Sequence, residues 1–347
     1  MKQNLANLEY TFDETLSGVH IYNKKLVSKQ DRLFDGTLLD WQGKKKHSYR
    51  YAYLNTICPK GILAQKSYEA TEFGLFTKAG RKIWSKQTPI HHFFFPTPNS
   101  FFTFGKETHK YKGRLVDFDT ILEFSYSGKL LQTWSAYDNL DSVQRLHKKM
   151  PLDVSWFPSG MKRKTKSPWG GYYDYYRFNA IQVLPQNTLG KKDSRFRAGN
   201  LLVSARHGSL LFIIDANTKK IVWSMTQFDI ADELQGQHAA QLRTNGTILV
   251  FDNGRYRGWS RILEFHPITK DIMFEYKYDG FFTQSRGHVA VLKNGNYLIT
   301  ESEKGRIFEL TPQKEIVWEY YHPDVQDNPN YPQSKGRREW IYQARGV

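Results

Sequence analysis

One phrase recurs along this chain, and its repetition constrains the fold more than any other feature. An alternating strand runs into a short turn carrying Gly or Lys, and a second strand ends on an aromatic residue. The copies are GLFTKAGRKIW (74–84), TILEFSYSGKLLQTW (120–134), LLFIIDANTKKIVW (210–223), RILEFHPITKDIMFEY (261–276) and RIFELTPQKEIVWEY (306–320). A degenerate copy, RLFDGTLLDWQGKKKHSYRY (32–51), opens the series. Apolar residues alternate about a turn-forming pair in each, which is a hairpin pattern of period two.

A second phrase is interleaved with the first: strand, turn on Pro or Asn-Gly, strand. Its clearest copies are QHAAQLRTNGTILVFDNG (237–254) and GHVAVLKNGNYLITES (287–302). Looser ones are YAYLNTICPKGILAQ (51–65), HHFFFPTPNSFFTFG (91–105), and RFNAIQVLPQN (177–187) continued by GNLLVSAR (199–206). Asn-Gly between alternating strands is a strong hairpin signal. Joined, the phrases make about four strands per unit at a period near 45–50 residues; Trp223 and Phe274 are 51 positions apart, Phe274 and Trp318 are 44. This predicts an all-β fold: a six-bladed β-propeller with four-stranded blades, in a single domain over 1–347. A single sandwich would not need so regular a repeat.

Two insertions break the pattern. Residues 136–150 have helical spacing and an Asp-rich start, which predicts a short surface helix. Residues 158–176 mix basic residues with Trp169 and four tyrosines. Such a segment suits a nucleic-acid platform, a lid over an anionic aromatic ligand, or a solvated loop.

Composition narrows the function classes. With 39% hydrophobic and 15% aromatic residues, the chain can bury a core and is not a disordered one. No 18-residue apolar window exists, so no membrane-spanning helix is expected. The start, MKQNLANLEYTFDE, lacks an apolar stretch, so the chain as given carries no secretory signal and is expected in the cytoplasm. The single cysteine, Cys58, excludes an internal disulfide and a cysteine-rich metal site; ICPKG reads as a strand end entering a turn. The net charge of +16 favours anionic partners.

In a propeller the first strand of each blade lines the central channel, so copies of the second phrase were aligned on their turns. His238 precedes Asn245 by seven positions, His92 precedes Asn99 by seven, and Asn179 precedes Gln186 by seven. Three blades thus place a polar side chain at one equivalent position, with Arg177 two residues before Asn179 on the same face. His288 precedes Asn294 by six and is expected on the other side of its strand. Arg206, closing the strand in VSARHGS, can reach over the channel mouth and clamp an oxyanion, or form an ion pair between blades; His207 is expected to face away.

At these residues the chain resembles the arylsulfotransferase family, the bacterial aryl-sulfate sulfotransferases that work without 3′-phosphoadenosine phosphosulfate. The similar runs are HHFFFPTPN (91–99), RFNAIQVLP (177–185), LLVSARHGSLLFIID (201–215), GQHAAQLRTNGTILVFDNG (236–254) and RGHVAVLKNGNYLITESEKGRIFELTPQKEIVWEY (286–320); SGVHIYN (17–23) is similar to the family's opening strand. The resemblance implies a six-bladed propeller that moves a sulfuryl group from a phenolic sulfate ester to a phenol through a sulfated histidine. It implies His238 as the nucleophile, His92 as the proton-transfer residue, and Arg206, Asn179, Arg177 and His91 as substrate-binding residues. Arg177 stands where the family has a histidine, and it cannot act as a base. No metal, nucleotide or other cofactor is implied, the partners are a phenolic sulfate and a phenol acceptor, no nucleic-acid partner is expected, and the family suggests the periplasm.

The alternative reading is a non-catalytic propeller that binds an anionic ligand or a protein partner through its basic face. A quinone-dependent dehydrogenase propeller would need acidic calcium ligands, and His, Asn and Arg are a poor set for a hard dication. A hydrolase reading lacks both a Gly-x-Ser-x-Gly elbow and a partnered cysteine.

Overall fold

The computed structural model describes residues 15–49, 54–65, 69–146, 166–326 and 336–347. The chain divides into two compact units, one of residues 1–48, 251–263 and 274–347 and one of residues 49–250 and 264–273.

In the first unit, a five-stranded sheet runs β1-β24-β23-β22-β21, where β1 is Gly18–Ile21, β21 His288–Val291, β22 Tyr297–Glu301, β23 Arg306–Leu310 and β24 Ile316–Tyr321. A four-stranded sheet runs β25-β2-β3-β4, from β2 (Arg32–Phe34), β3 (Thr37–Leu39), β4 (Lys45–Ser48) and β25 (Ala344–Gly346). Both ends of the described chain are therefore tied into sheets: β1 pairs with β24, and β25 pairs with β2.

The second unit holds one eight-stranded sheet in the order β11-β10-β9-β8-β7-β6-β5 with β12 alongside β10. Its strands are β5 (Leu54–Cys58), β6 (Gly61–Gln65), β7 (Glu69–Phe76), β8 (Lys82–Pro96), β9 (Ser100–Tyr111), β10 (Arg114–Ser125), β11 (Leu130–Ser135) and β12 (Tyr173–Asp174). A four-stranded sheet follows in chain order, β13 (Phe178–Val183), β14 (Leu201–Ala205), β15 (Leu210–Ile214) and β16 (Ile221–Met225). The remaining sheet, whose residues are divided between the two units, has the order β17 (His238–Leu242), β18 (Ile248–Asp252), β19 (Arg261–Phe265), β20 (Ile272–Tyr276).

The fold is all-β and of the β-propeller class, built of small antiparallel meanders. The expected count of six separate blades is corrected: four sheets are blade-sized, and the eight-stranded sheet stands in place of the others. The cause is β8. Its first part pairs with β7 through Lys82–His91 and its last part pairs with β9 through His91–Pro96; Pro89 makes a bulge against β7 but does not end the strand. The expected helix in 136–150 is α1 (Leu140–Leu146), and residues 147–150 lie outside the described residues. Of the basic and aromatic insertion, 158–165 also lie outside them.

The Asn-Gly turns behave as their chemistry requires. Gly246 and Gly295 have φ of 88° and 87°, the left-handed region that a Cβ disfavours. Arg243 N–H donates to Thr247 O (2.8 Å) and Leu292 N–H to Asn296 O (2.8 Å), closing both hairpins. Inward positions of β7, β8, β9 and β10 pack Phe73, Phe94, Phe101 and Phe124 on one another with ring centroids 5.3–6.1 Å apart. Each fully buried ring stabilises the fold by roughly 1.5–3 kcal/mol. Cys58 is buried at the end of β5, and burial pushes its thiol pKa up, as for an inert structural residue.

One ion pair links two sheets of the first unit. Arg32 of β2 and Glu309 of β23 meet at 2.5 Å with both side chains fully buried, and Glu309 also accepts from Ser28 N–H (2.7 Å) and Asn296 Nδ2 (2.7 Å). Removing one partner leaves the other charge buried, so Arg32→Met should destabilise the protein by about 3–5 kcal/mol. The denaturation midpoint should recover partly in Arg32→Met/Glu309→Leu; equal losses in single and double variants would show that the charge pairing is not what matters there.

Candidate active site

Three strands of the second unit bring the sequence-predicted residues together. β13 packs against β8, β9 and β17. Gln182 of β13 zips it to β17, accepting from Leu242 N–H (2.7 Å) and donating to Leu242 O (3.1 Å). Near these residues the strands are kinked. His92, Arg177 and Ala239, the neighbour of His238, all have left-handed φ (59°, 55° and 55°). His92 lies in the irregularity between His91 and Phe95, and Asn179 in the one between Phe178 and Ala180. Bulges re-aim side chains, and strain of roughly 1–3 kcal/mol per residue persists only where surrounding contacts hold it.

His91 and His92, 1% and 2% exposed, form the centre of a buried chain. The His91 Nε2 faces two acceptors, Gly105 O at 3.3 Å and Asp119 Oδ1 at 3.2 Å; the bond to Gly105 is the better aligned, and the carboxylate stands as an ion-pair partner. Nε2 therefore carries the hydrogen and Nδ1 is an acceptor. Nδ1 of His91 lies 2.6 Å from Nδ1 of His92, so His92 donates there. Burial lowers the pKa of His91, opposed by Asp119. Burial lowers that of His92 further, helped by the charges of His91, Arg177, His238 and Lys106. Both rings are neutral near pH 7, the state in which an imidazole is a base or nucleophile.

Around the histidines stand three cations. Lys106 of β9 sits directly opposite Asp119 in the β9–β10 register, and its buried Nζ lies 2.6 Å from Asp174 Oδ1. Arg177 Nη1 reaches the other oxygen of Asp174, also at 2.6 Å, while its backbone N–H donates to Asp119 Oδ2 at 2.8 Å. Lys106, Arg177 and Arg206 stand against the carboxylates of Asp174 and Asp119, three formal positive charges to two, which leaves the locality attractive to an anion. Asp174 is placed by the parallel docking of β12 on β10. That docking needs Gly171, because a Cβ there would overlap the Asp117 carboxylate. Trp169, from the insertion, lies edge-on to His91 (5.7 Å) and under Lys106 Nζ (5.7 Å).

Arg206 N–H donates to Arg177 O (3.0 Å), which sets this arginine beside the cluster. His207 does not face away as expected. It is buried, with Nδ1 between Asp174 O (3.2 Å) and Tyr175 O (3.1 Å), which leaves Nε2 to accept from Arg206 Nη1 at 3.5 Å. His238 opens β17, 8% exposed. Asn179 Nδ2 donates to Gln237 O at 2.7 Å, which ties β13 to the residue before His238. Gln237, fully buried, donates in turn toward Ser204 Oγ, Ala205 O and Leu210 O (3.0–3.3 Å). This bonding orients the Asn179 amide, so its remaining Nδ2 hydrogen is the group able to meet an anion.

His91, His92, Arg177, Asn179, Arg206 and His238 all belong to this one unit; the contacts above link His91, His92, Arg177 and Arg206, while Asn179 is bonded to Gln237. His238 joins through Gln237 and through its charge coupling to His92. His288 lies in the other unit, paired with Thr300. Sequence reasoning missed Lys106, Asp119, Asp174, Gln237 and the role of His207. Two of these had a signal: Lys106 continues the inward series Phe102, Phe104, and Asp119 interrupts the run Val116, Phe118, Ile121 of buried apolar residues. Among the described residues, no group of three His, Cys, Asp or Glu is placed to hold a metal ion, and no helix is long and apolar enough to cross a membrane.

The two depressed histidines give stability a pH dependence of known sign. Below about pH 6.5 the unfolded chain takes up protons that the folded one refuses, so stability falls as pH drops, by up to about 1.4 kcal/mol per pH unit for each histidine. His92→Asn, which tolerates the left-handed φ, should lose less stability between pH 7 and 5 than the unaltered protein. Parallel acid limbs in thermal unfolding would show that His92 is protonated in the folded state.

Comparison with known proteins gives the site its context. The family model described as Arylsulfotransferase (ASST) matches residues 93–322. No curated protein matches the chain. Among solved structures, a protein of unknown function from Bacteroides caccae is similar at 14% identity and TM-score 0.45, over 84% of this chain and 94% of that one. The β-propeller domain of Myceliophteria thermophila Cps50 (Swd1) is similar at 13% and 0.46, over 89% and 90%. A streptogramin B lyase is similar at 11% and 0.43, over 90% and 74%. With well over half its length matched by one family model, and that match spanning all but the first residues of the cluster, this chain belongs to the arylsulfotransferase family.

Proposed function

We propose that this protein is an aryl-sulfate sulfotransferase that moves a sulfuryl group from a phenolic sulfate ester to a phenol by way of His238. The observation that carries this reading is the pairing of neutral, buried imidazoles with a surplus of cations in one cluster. In the first half-reaction a nitrogen of His238 attacks the sulfur; the N–S bond forms as the S–O(aryl) bond breaks, and the phenolate leaves with the electron pair. In the second, His92 takes the hydroxyl proton of the acceptor, whose oxygen attacks sulfur, and the N–S electron pair returns to His238.

Sulfuryl transfer, like phosphoryl transfer, spreads charge over three peripheral oxygens, so positioned N–H donors supply most of the catalysis. Arg206, Arg177 and the second Nδ2 hydrogen of Asn179 serve that purpose in this reading. Lys106 adds a cation that a dry environment strengthens. Arg177, where the family has a histidine, contributes charge but no proton transfer. His91 acts on His92 and not on the substrate. Trp169 offers an aromatic face beside the histidines for an aryl ring.

The reading as a non-catalytic binder of anionic ligands draws on the same Arg177. Turnover separates the two. His238→Ala should abolish release of the phenol from a chromogenic aryl sulfate while leaving the thermal transition in place. Incubation with donor alone should add the mass of one sulfuryl group to the peptide carrying His238. A His238→Ala variant that keeps most of its turnover would sink the nucleophile assignment; binding of donor without turnover by the unaltered protein would favour the binder.

A further inference from the structure

Two of the cations in the cluster meet on one carboxylate, and the way they meet gives that carboxylate a task. We propose that Asp174 is a positioning residue for the transfer: its carboxylate, aimed by Lys106, holds the Arg177 guanidinium in one orientation within the cluster. The use made of that guanidinium rests on the function proposed above; the hold itself does not.

The backbone of Arg177 is fixed at two points. Its N–H donates to Asp119 Oδ2 at 2.8 Å, and its carbonyl accepts from Arg206 N–H at 3.0 Å. Neither contact reaches the guanidinium, which ends a long, rotatable side chain that is 28% exposed. Asp174 reaches it. Arg177 Nη1 donates to Oδ2 at 2.6 Å, a short charge-assisted bond to a carboxylate only 4% exposed. The other oxygen, Oδ1, is ion-paired with Lys106 Nζ at 2.6 Å, and that side chain is 1% exposed. With one oxygen given to each cation, the ammonium on β9 decides where Oδ2 points.

Main chain backs the arrangement. β12 sets Asp174 opposite Asp117 of β10, and Tyr175 N–H donates to Asp117 O at 3.0 Å. The same run braces the neighbour of Arg206: His207 N–H donates to Tyr176 O at 2.9 Å, and its Nδ1 lies against the carbonyls of Asp174 and Tyr175. An asparagine at position 174 keeps the shape but has a single oxygen for two cations. The more deeply buried ammonium takes it, which turns the NH₂ group onto the guanidinium, donor against donor. Removing the ammonium as well frees that oxygen for Arg177.

The test uses the full chain labelled with ¹⁵N-arginine and reads relaxation of the Arg177 Nε–H group, identified as the signal missing from Arg177→Gln. In the unaltered protein its order parameter should match rigid backbone, about 0.85, and in Asp174→Asn it should fall below about 0.6. In Asp174→Asn/Lys106→Met it should rise again. Should the unpaired ammonium keep Asp174→Asn from folding, Asp174→Ala/Lys106→Met takes its place as the variant expected to be mobile. A mobile Arg177 in the unaltered protein overturns the proposal. So does an Arg177 that stays ordered without the carboxylate, or one that stays mobile in Asp174→Asn/Lys106→Met. Release of phenol from an aryl sulfate should drop on the order of a hundredfold in Asp174→Asn. Adding Asp174→Asn to Arg177→Gln should cost no more than about a further twofold, because the two act as one; additive losses overturn the positioning role. Absence of turnover in the unaltered protein would count against the proposed function alone, since the relaxation is read with no substrate present.

Discussion

A polar group inside a sheet must find a partner there or forfeit the fold, and this requirement shapes the second unit more than any other. Burying an amide, a carboxylate or an ammonium without a partner costs several kcal/mol, comparable with a large part of a domain's net stability. Here His91, His92, Lys106, Asp119, Asp174, Asn179 and Gln237 are all buried among phenylalanines. They are tolerated because each is bonded to another: carboxylate to ammonium and guanidinium, imidazole to imidazole, amide to main chain. These bonds hold the members in place even though Asp119 Oδ1, Asn179 Oδ1 and Gln237 Oε1 accept no hydrogen bond.

That mutual bonding is also what a transfer site needs. Groups already oriented by the fold need no rearrangement when charge develops on a substrate, which is why preorganised dipoles outperform water. The left-handed residues within or beside three strands belong to the same economy of form. His92, Arg177 and Ala239 hold conformations that unstrained strands avoid, and hydrogen bonds such as Arg177 N–H to Asp119 keep them there. Local strain and buried polarity coincide at one place, the pattern expected where selection has favoured chemistry over ease of folding.

Much of this was legible before any coordinates. Hairpins fall where the two interleaved phrases put them, because Asn-Gly and Pro turns act locally and alternation survives every tertiary context. Turn alignment also singled out His92, Asn179 and His238, since the same distance from a turn in a repeated meander means the same place on a strand. The supporting residues were harder to see. Asp174 reaches the cluster only because β12 docks parallel to β10 across a gap of more than fifty residues, a pairing that periodicity does not encode. His207 was assigned outward by strict alternation, yet it follows the strand end at Ala205, where alternation no longer applies. The count of separate sheets failed for a related reason: the one break signal in KIWSKQTPIHHFFFP, Pro89, is taken up as a bulge in a strand that continues.

That unbroken strand has a consequence for how such a chain can change over generations. Between β16 and β17 a connecting segment separates one sheet from the next and can absorb an added or lost residue. Between Trp84 and His91 there is no loop, only a bulge at Thr88 and Pro89 where β8 takes three steps to the two of β7. One residue gained or lost there would turn every following side chain to the opposite face, carrying the histidine pair away from Asp119 while the hairpin at 77–81 stayed in register. The span should therefore tolerate exchange of side chains far better than any alteration in its length.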